Sequence, residues 1–293
     1  MAKIAADLDQ ALAERARTGA PGRTTARVLA AGAAWRVLDV VCTSGPRDRP
    51  FEERHPDVAV AIVAAGSFEY RSADGRQLMT PGSLLLGNPD QDFECAHDHA
   101  AGDRCLSFHF APACFERLAA DAGVSPRFPA NRLPPLRARS PFVARALAAL
   151  GGGSQLPWEE LAVHLATRTA RLAAGLSPDR RPPTPSAVAR VSRAVRRIER
   201  HPDGDLTLAG LSRQAGLSPY HFLRTFESVT GVTPHQYVLR TRLRRAAMQL
   251  ELEPASVLDV ALGSGFGDVS NFNRSFRAEF GLSPRAYRAA AAG

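Results

Sequence analysis

LTLAGLSRQAGLSPYHFLRTFESVTG, residues 206–231, is the stretch whose reading decides the fold. Leu208 and Leu211 mark the inward side of a short first helix. Gly216 falls where the chain must turn with positive φ, a state glycine adopts without steric cost. Ser218 stands where a second helix needs its cap, and Pro219 suits the first helical position, where a missing N–H is harmless. Phe222, Leu223 and Phe226 give that second helix an apolar side. Helix, glycine turn, helix within about twenty residues is the helix-turn-helix pattern.

The pattern recurs. SVLDVALGSGFGDVSNFNRSFRAEFGLSP, 256–284, repeats it with a shift of 50 residues: Arg224–Thr225–Phe226 falls on Arg274–Ser275–Phe276, Gly231 on Gly281, and Thr233–Pro234 on Ser283–Pro284. Self-similarity at a fixed period marks a duplicated unit. Between the copies, PHQYVLRTRLRRAAMQL, 234–250, reads as one helix of about 25 Å at 1.5 Å per residue. Such a strut can hold two second helices about one DNA turn, ~34 Å, apart on one face. Phe222, Phe226, Phe272, Phe276 and Phe280 recur at core spacing, so they are expected inside rather than as a stacking surface. Arg240, Arg242, Arg244 and Arg245 on the strut are candidates for phosphate contact or for a solvated face.

Upstream, Val188, Val191, Val195 and Ile198 keep a helical period with arginines opposite. SPDRRPPTPS, 177–186, is proline-rich and charged, the composition of a linker. Before it the periodicity changes. WRVLDVV, VAVAIVAAG, SFEYR, QLM, SLLLG and CLSFHF lie between residues 35 and 110 as short alternating or apolar runs, with ADGR as a hairpin turn. They predict an antiparallel barrel or sandwich. Helical patterns follow at 140–150 and 156–174, the second bringing Leu161, Leu165 and Leu172 near one face. The expected organisation is an α+β chain with an antiparallel β domain over 1–139, a helical segment over 140–176, a linker over 177–186 and an all-α domain over 187–293.

Composition narrows the function classes. The chain has 293 residues, 45% hydrophobic and 23% charged, as in a soluble globular protein. No apolar run reaches the roughly 18 residues that span a bilayer, and the N-terminal stretch lacks the apolar core of a signal peptide, so the cytosol is the expected compartment. The net charge is +8, and residues 186–293 alone hold 15 basic against 9 acidic residues. The smaller part thus carries most of the excess, which suits a polyanionic partner. Four cysteines in a chain this long do not make a disulfide framework. Clustered thiols point instead to ligation or redox chemistry.

CAHDHAAGDRC, 95–105, is such a cluster. Alternate strand residues share a face, so Cys95, His97 and His99 point one way. In CLSFHF, Cys105, Ser107 and His109 share one face and Leu106, Phe108 and Phe110 the other. A hairpin with a five-residue loop would pair His99 with Cys105 and gather both cysteines with up to three histidines. A four-residue loop would turn Cys105 away. The first register predicts a site for zinc or another transition metal on Cys95, His97, His99, Cys105 and, less directly, His109. A thiol-based response is a second reading, and polar strand residues under a hairpin are a third.

The residues over 187–290 resemble an AraC/XylS-type transcription regulator: paired helix-turn-helices, the intervening helix, and GFGDVSNFNRSFRAEFGLSPRAYR, which is nearly the family signature. The N-terminal half resembles that family's cupin-like sensing domain over about residues 30–115, mainly through PGSLLLGNP. The resemblance implies a sequence-specific regulator, an activator or repressor, with double-stranded DNA, a small-molecule or metal effector, a second copy of the chain and RNA polymerase as partners, and no membrane. It places Pro219, Tyr220, Leu223 and Arg224, and Val269, Ser270, Asn271 and Arg274, at the base edges. Arginine can bind guanine bidentately and asparagine adenine. Two alternatives are a cupin-type metal enzyme with an accessory DNA-binding region, and a constitutive DNA binder whose N-terminal half only dimerises. Against the enzyme, His97-Asp98-His99 is followed by Asp103 where a catalytic cupin has Glu, and Glu53 stands two residues before His55 where a His is usual.

Overall fold

The computed structural model describes residues 2–135, 140–150, 158–175 and 183–292, which group into two compact units. The N-terminal unit, built on residues 5–134 with 156–184, carries helix α1 (Ala2–Thr18) and strands β1 (Thr24–Ala31), β2 (Trp35–Cys42), β3 (Phe51–Arg54), β4 (Val58–Gly66), β5 (Phe68–Ser72), β6 (Gly75–Met79), β7 (Leu84–Gly87), β8 (Asp92–Ala96) and β9 (Asp103–Phe110). Helix α2 (Pro112–Asp121) and strand β10 (Arg132–Leu133) follow. One sheet runs β1-β2-β9-β4-β7-β10 and a second runs β3-β8-β5-β6, every described pairing antiparallel. Ala61, Val63, Phe68, Tyr70, Met79, Leu85 and Cys105, drawn from both sheets, form the core between them.

The expected alternation along CLSFHF is present. Leu106, Phe108 and Phe110 are fully buried on the far side of β9, where Phe108 meets Trp158 of helix α4 (Trp158–Ala174) and Phe110 meets Phe115 of α2. Strand β4, VAVAIVAAG, is buried on both faces, which is why it reads as a continuous apolar run. Arg104, on the helix-covered face, is only 2% exposed; it donates to both oxygens of Asp39 at 2.8 and 2.9 Å and to Asp7 of α1 at 2.8 Å. A buried guanidinium needs such partners, because an isolated buried charge costs several kcal/mol, on the order of 3–5 when a partner is removed.

The C-terminal unit includes residues 135–155 and 185–293. Its helices are α3 (Ser140–Leu150), α5 (Pro185–Arg200), α6 (Leu208–Ala215), α7 (Pro219–Thr230), α8 (Pro234–Leu252), α9 (Val257–Gly263), α10 (Val269–Phe280) and α11 (Pro284–Ala292). Gly216 ends α6 at φ 65°, and Gly231 and Gly281 end α7 and α10 at φ 77° and 80°. The duplication extends into the packing. Phe226 meets Tyr237 edge-on at 5.7 Å, and Phe276 meets Tyr287 edge-on at 5.3 Å, again 50 residues on. All five phenylalanines noted above are buried.

Three expectations need correction. The helices over 140–176 do not form one structural segment but belong to different units. The first helix, α3, sends Ala144 into the core of the C-terminal unit beside Leu243, Ala246 and Phe276, whereas α4 uses Leu161 and Leu165 to cover its own unit's sheet and α2. Second, Leu208 does not face inward: it opens α6 and is 37% exposed, while Leu211 is buried. Third, the linker falls mostly on 176–182, outside the described residues, and helix α5 already begins at Pro185. Proline is tolerated there because the first turn needs no N–H.

Candidate functional site

The two second helices, α7 and α10, are held alike. Ser218 caps α7 by accepting from His221 N, and Asp268 caps α10 by accepting from Ser270 N and Asn271 N. Those backbone donors, with Arg274 adding a favourable charge, hold the Asp268 carboxyl below the usual carboxylate range. Beneath α7, Glu199 of α5 accepts from Arg244 through both oxygens at 2.9 and 3.0 Å, and from Tyr237 and Thr241 at 3.0 Å each. Beneath α10, Tyr287 donates to Glu251 at 2.6 Å, and Arg240 of α8 pairs with Glu279 at 3.4 Å.

The expected base readers fall unevenly on the surface. On α7, Pro219, Tyr220 and Arg224 are exposed and Leu223 is half-buried. Arg224 donates to the Tyr220 hydroxyl at 3.1 Å and lies over its ring. On α10, Ser270, Asn271 and Arg274 are exposed, but Val269 is half-buried and packs against the core. Arginines on α8 mostly serve the fold. Arg242 donates to the carbonyls of Pro202 and Gly204, Arg244 serves Glu199, and Arg245 faces Asp203 at 3.8 Å. The outward-facing polar set is therefore centred on Tyr220, Arg224, Ser270, Asn271 and Arg274.

The second site lies inside the N-terminal sheets, and its geometry differs from the hairpin expected for CAHDHAAGDRC. Strands β8 and β9 are not paired. β8 lies between β3 and β5, β9 between β2 and β4, and residues 97–102 cross from one sheet to the other. Cys105 is opposite Val40 and Val63, not His99. His99 lies on the crossover, and His109 is six residues along β9 from Asp103, about 20 Å at the usual strand rise. Predicting a hairpin from a short turn-like sequence failed because the chain switches sheets at that turn.

What the crossover does is bring His97 against β2 and the start of β9. Among the described residues, donor atoms of Cys42, His97 and Asp103 all lie within 4.8 Å of one another, and all three residues are buried. His97 Nε2 is 2.7 Å from Asp103 Oδ1, and the Cys105 thiol donates to Asp103 Oδ2 at 3.3 Å. Burial alone would depress the His97 pKa, but its hydrogen bond to Asp103 and the neighbouring Cys42 thiol outweigh it and lift the value to about 9. The Cys42 thiol is pushed up by burial, yet His97 brings it below the ordinary value. Cys95 and Cys105 are pushed well up by burial and by the Asp103 charge. Cys42 and Asp103 escaped sequence reasoning because Cys42 lies 55 residues before His97 in the chain and only strand pairing brings it opposite Asp103.

Further along the same interior, His55 Nε2 and the Tyr70 hydroxyl are 3.0 Å apart, and His55 stacks on Phe93 at 4.1 Å. Ser107 Oγ and His109 Nε2 are 2.9 Å apart. Burial holds both imidazoles neutral, with pKa values near 4. A side chain at position 87 could not coexist with this arrangement: a Cβ on Gly87 would fall 2.4 Å from His55 Nε2.

Comparison with known proteins finds two family models along the chain. Residues 40–198 match the AraC-like ligand binding domain, and residues 211–290 match a helix-turn-helix domain. Over 99 residues the chain is 30% identical to the HTH-type transcriptional regulator MtrA of Neisseria gonorrhoeae, covering 34% of this chain and 33% of that protein. Over 91 residues it is 35% identical to the right origin-binding protein of Escherichia coli strain K12, covering 31% and 32%. The matched stretch thus spans about a third of the length of these curated relatives. Among solved structures, the DNA-binding domain of AdpA in complex with a target DNA is 33% identical, covering 34% of this chain and 90% of that one, with a TM-score of 0.34.

Proposed function

The chain belongs to the AraC family, and from that premise we propose that it is a transcription regulator that binds specific double-stranded DNA through α7 and α10. The observation that carries this is the duplicated unit itself: two capped helices, each with a polar outer face and a phenylalanine core, fixed 50 residues apart on one strut. Asn271 and Arg274 suit base edges, because their side chains can make two hydrogen bonds to one base. Ser270, Tyr220 and Pro219 serve as contacts to sugar or phosphate around them, and half-buried Leu223 and Val269 can offer only apolar edges, as to a thymine methyl.

In this reading the N-terminal unit receives a small-molecule, metal or redox signal rather than turning over a substrate, and the protein acts as a homodimer in the cytoplasm, with RNA polymerase as a further partner. No helix among the described residues is long and apolar enough to cross a membrane. Selection of bound sequences from a random DNA pool tests the reading. Enrichment of a motif that Arg274→Ala relaxes at one position is expected. Recovery of unenriched DNA at every salt concentration would refute it.

A further inference from the structure

The inner face of the N-terminal sheets gathers more soft donors than packing requires. Cys42 closes β2, Asp103 opens β9, and the two are direct partners in the ladder. His97 follows β8 and arrives from the other sheet. Cys42, His97 and Asp103 are 3%, 4% and 5% exposed. Cys105, next on the same face of β9, sets its thiol 3.3 Å from Asp103. One polar atom there is left over: His97 Nδ1 is buried and has no hydrogen-bond partner among the described residues. Buried nitrogens are rarely left that way, and the exceptions point to an ion or a water.

We propose that Cys42, His97 and Asp103 form a transition-metal site, with Cys105 as the nearest further donor, and that it takes zinc or a metal of similar borderline softness. Thiolate, imidazole and carboxylate are the ligand types zinc accepts, in a tetrahedral shell with metal–ligand distances of about 2.0–2.3 Å. Such a shell spaces its donors roughly 3.4–3.8 Å apart, inside the 4.8 Å within which the three donor atoms already lie. Calcium and magnesium are excluded by the sulfur and nitrogen donors, since both require oxygen. Phe68, whose ring is 6.0 Å from that of His97, and Val63, Met79 and Tyr70 wall the interior beside the thiols. In that apolar surrounding, the attraction between a cation and two or three anionic ligands is screened far less than in water.

The site gains Cys42 and Asp103 and drops Cys95, His99 and His109 relative to the hairpin cluster, and the difference makes it testable. It requires Cys42 and Asp103, and it has no use for His99. Full-length protein, reduced and stripped with chelator, is titrated with zinc ion alone against a chromogenic competitor. We expect one zinc per chain. Cys42→Ser and His97→Gln should each weaken the affinity by more than about 100-fold, because even outer-shell partners of a metal are worth 10–100-fold. His99→Gln and Cys114→Ser should leave it unchanged, with far-ultraviolet circular dichroism showing that each variant is folded. Reconstitution of the wild type with cobalt gives a readout that needs no variant: a strong sulfur-to-cobalt charge-transfer band is expected. Absence of stoichiometric zinc, absence of that band, or an affinity that His99→Gln lowers as much as His97→Gln would overturn the proposal. The titration contains no DNA, so it judges the site whether or not the DNA-binding reading stands.

Discussion

The two units of this molecule solve the problem of buried charge in the same way and the problem of building a site in opposite ways. In the sheet unit, Arg104 is clamped by Asp39 and Asp7; in the helical unit, Arg244 is clamped by Glu199. Both ion pairs tie together segments far apart in sequence. The sites differ. The helical unit presents its polar residues outward on two copies of one short motif, and the caps and phenylalanine packing that shape each copy are contacts within about 30 residues, such as Ser218 to His221 and Phe226 to Tyr237. The sheet unit turns its polar residues inward, and Cys42, His97 and Asp103 meet only through pairing across 61 positions and a switch between sheets. Local construction gives a site that tolerates change elsewhere. Non-local construction gives one that depends on the whole sheet.

The largest effects should separate the units. Asp39→Ala strands a guanidinium that is 2% exposed, with Asp7 as its remaining carboxylate, and should cost about 3–5 kcal/mol. In calorimetry only the transition of the sheet unit should fall; movement of both would contradict the division into two units. Acid should act on the same group. Asp39 is pushed up by burial but held below its ordinary value by hydrogen bonds from Arg104 and Arg27. Its folded pKa is therefore the lower one, so its stabilisation is present above about pH 4 and is lost as pH falls through the folded value. Asp39→Asn should flatten that acid limb, read as the melting temperature between pH 3 and 6.

Glu199→Ala is the mirror experiment in the helical unit. It leaves Arg244 without its bidentate carboxylate and should cost about 3 kcal/mol, lowering only the other transition and loosening α5 from α8. Zinc or chelator should not change that transition.

How much of each unit could be read in advance follows from the same contrast. The repeat made both helix-turn-helices legible, because capping residues, glycine stops and phenylalanine spacing are local signals. Ser218, Gly216 and Gly231 stand where the sequence pattern puts them. Alternation in CLSFHF gave the right face for each residue of β9, since strand parity is local too. Its register was not legible. CAHDHAAGDRC looks like a hairpin, and nothing in its eleven residues says that β9 pairs instead with WRVLDVVC and VAVAIVAAG. Leu208 was misplaced for a related reason: at the first turn of α6 it precedes the packing contact that Leu211 makes.

Smaller effects address the DNA surface. Asn271→Ala and Arg274→Ala should each weaken specific binding by about 1–3 kcal/mol while sparing binding to random DNA. Arg224→Ala should do less, since Arg224 already donates to Tyr220 and must give up that bond to reach a base. Equal losses on specific and random DNA, measured by fluorescence anisotropy, would make these phosphate contacts. Smallest is Ser218→Ala, which removes one cap and should cost about 1 kcal/mol of the helical unit's stability.

Footprinting the full chain on the DNA upstream of its own gene tests the central claim most directly. Two recognition helices on one strut predict, for each copy of the chain bound, two protected segments about one helical turn, ~34 Å, apart on the same face, with Arg274→Ala losing one segment of each pair and keeping the other. A single protected segment that Arg224→Ala and Arg274→Ala abolish alike would contradict a reader built from two copies of one motif.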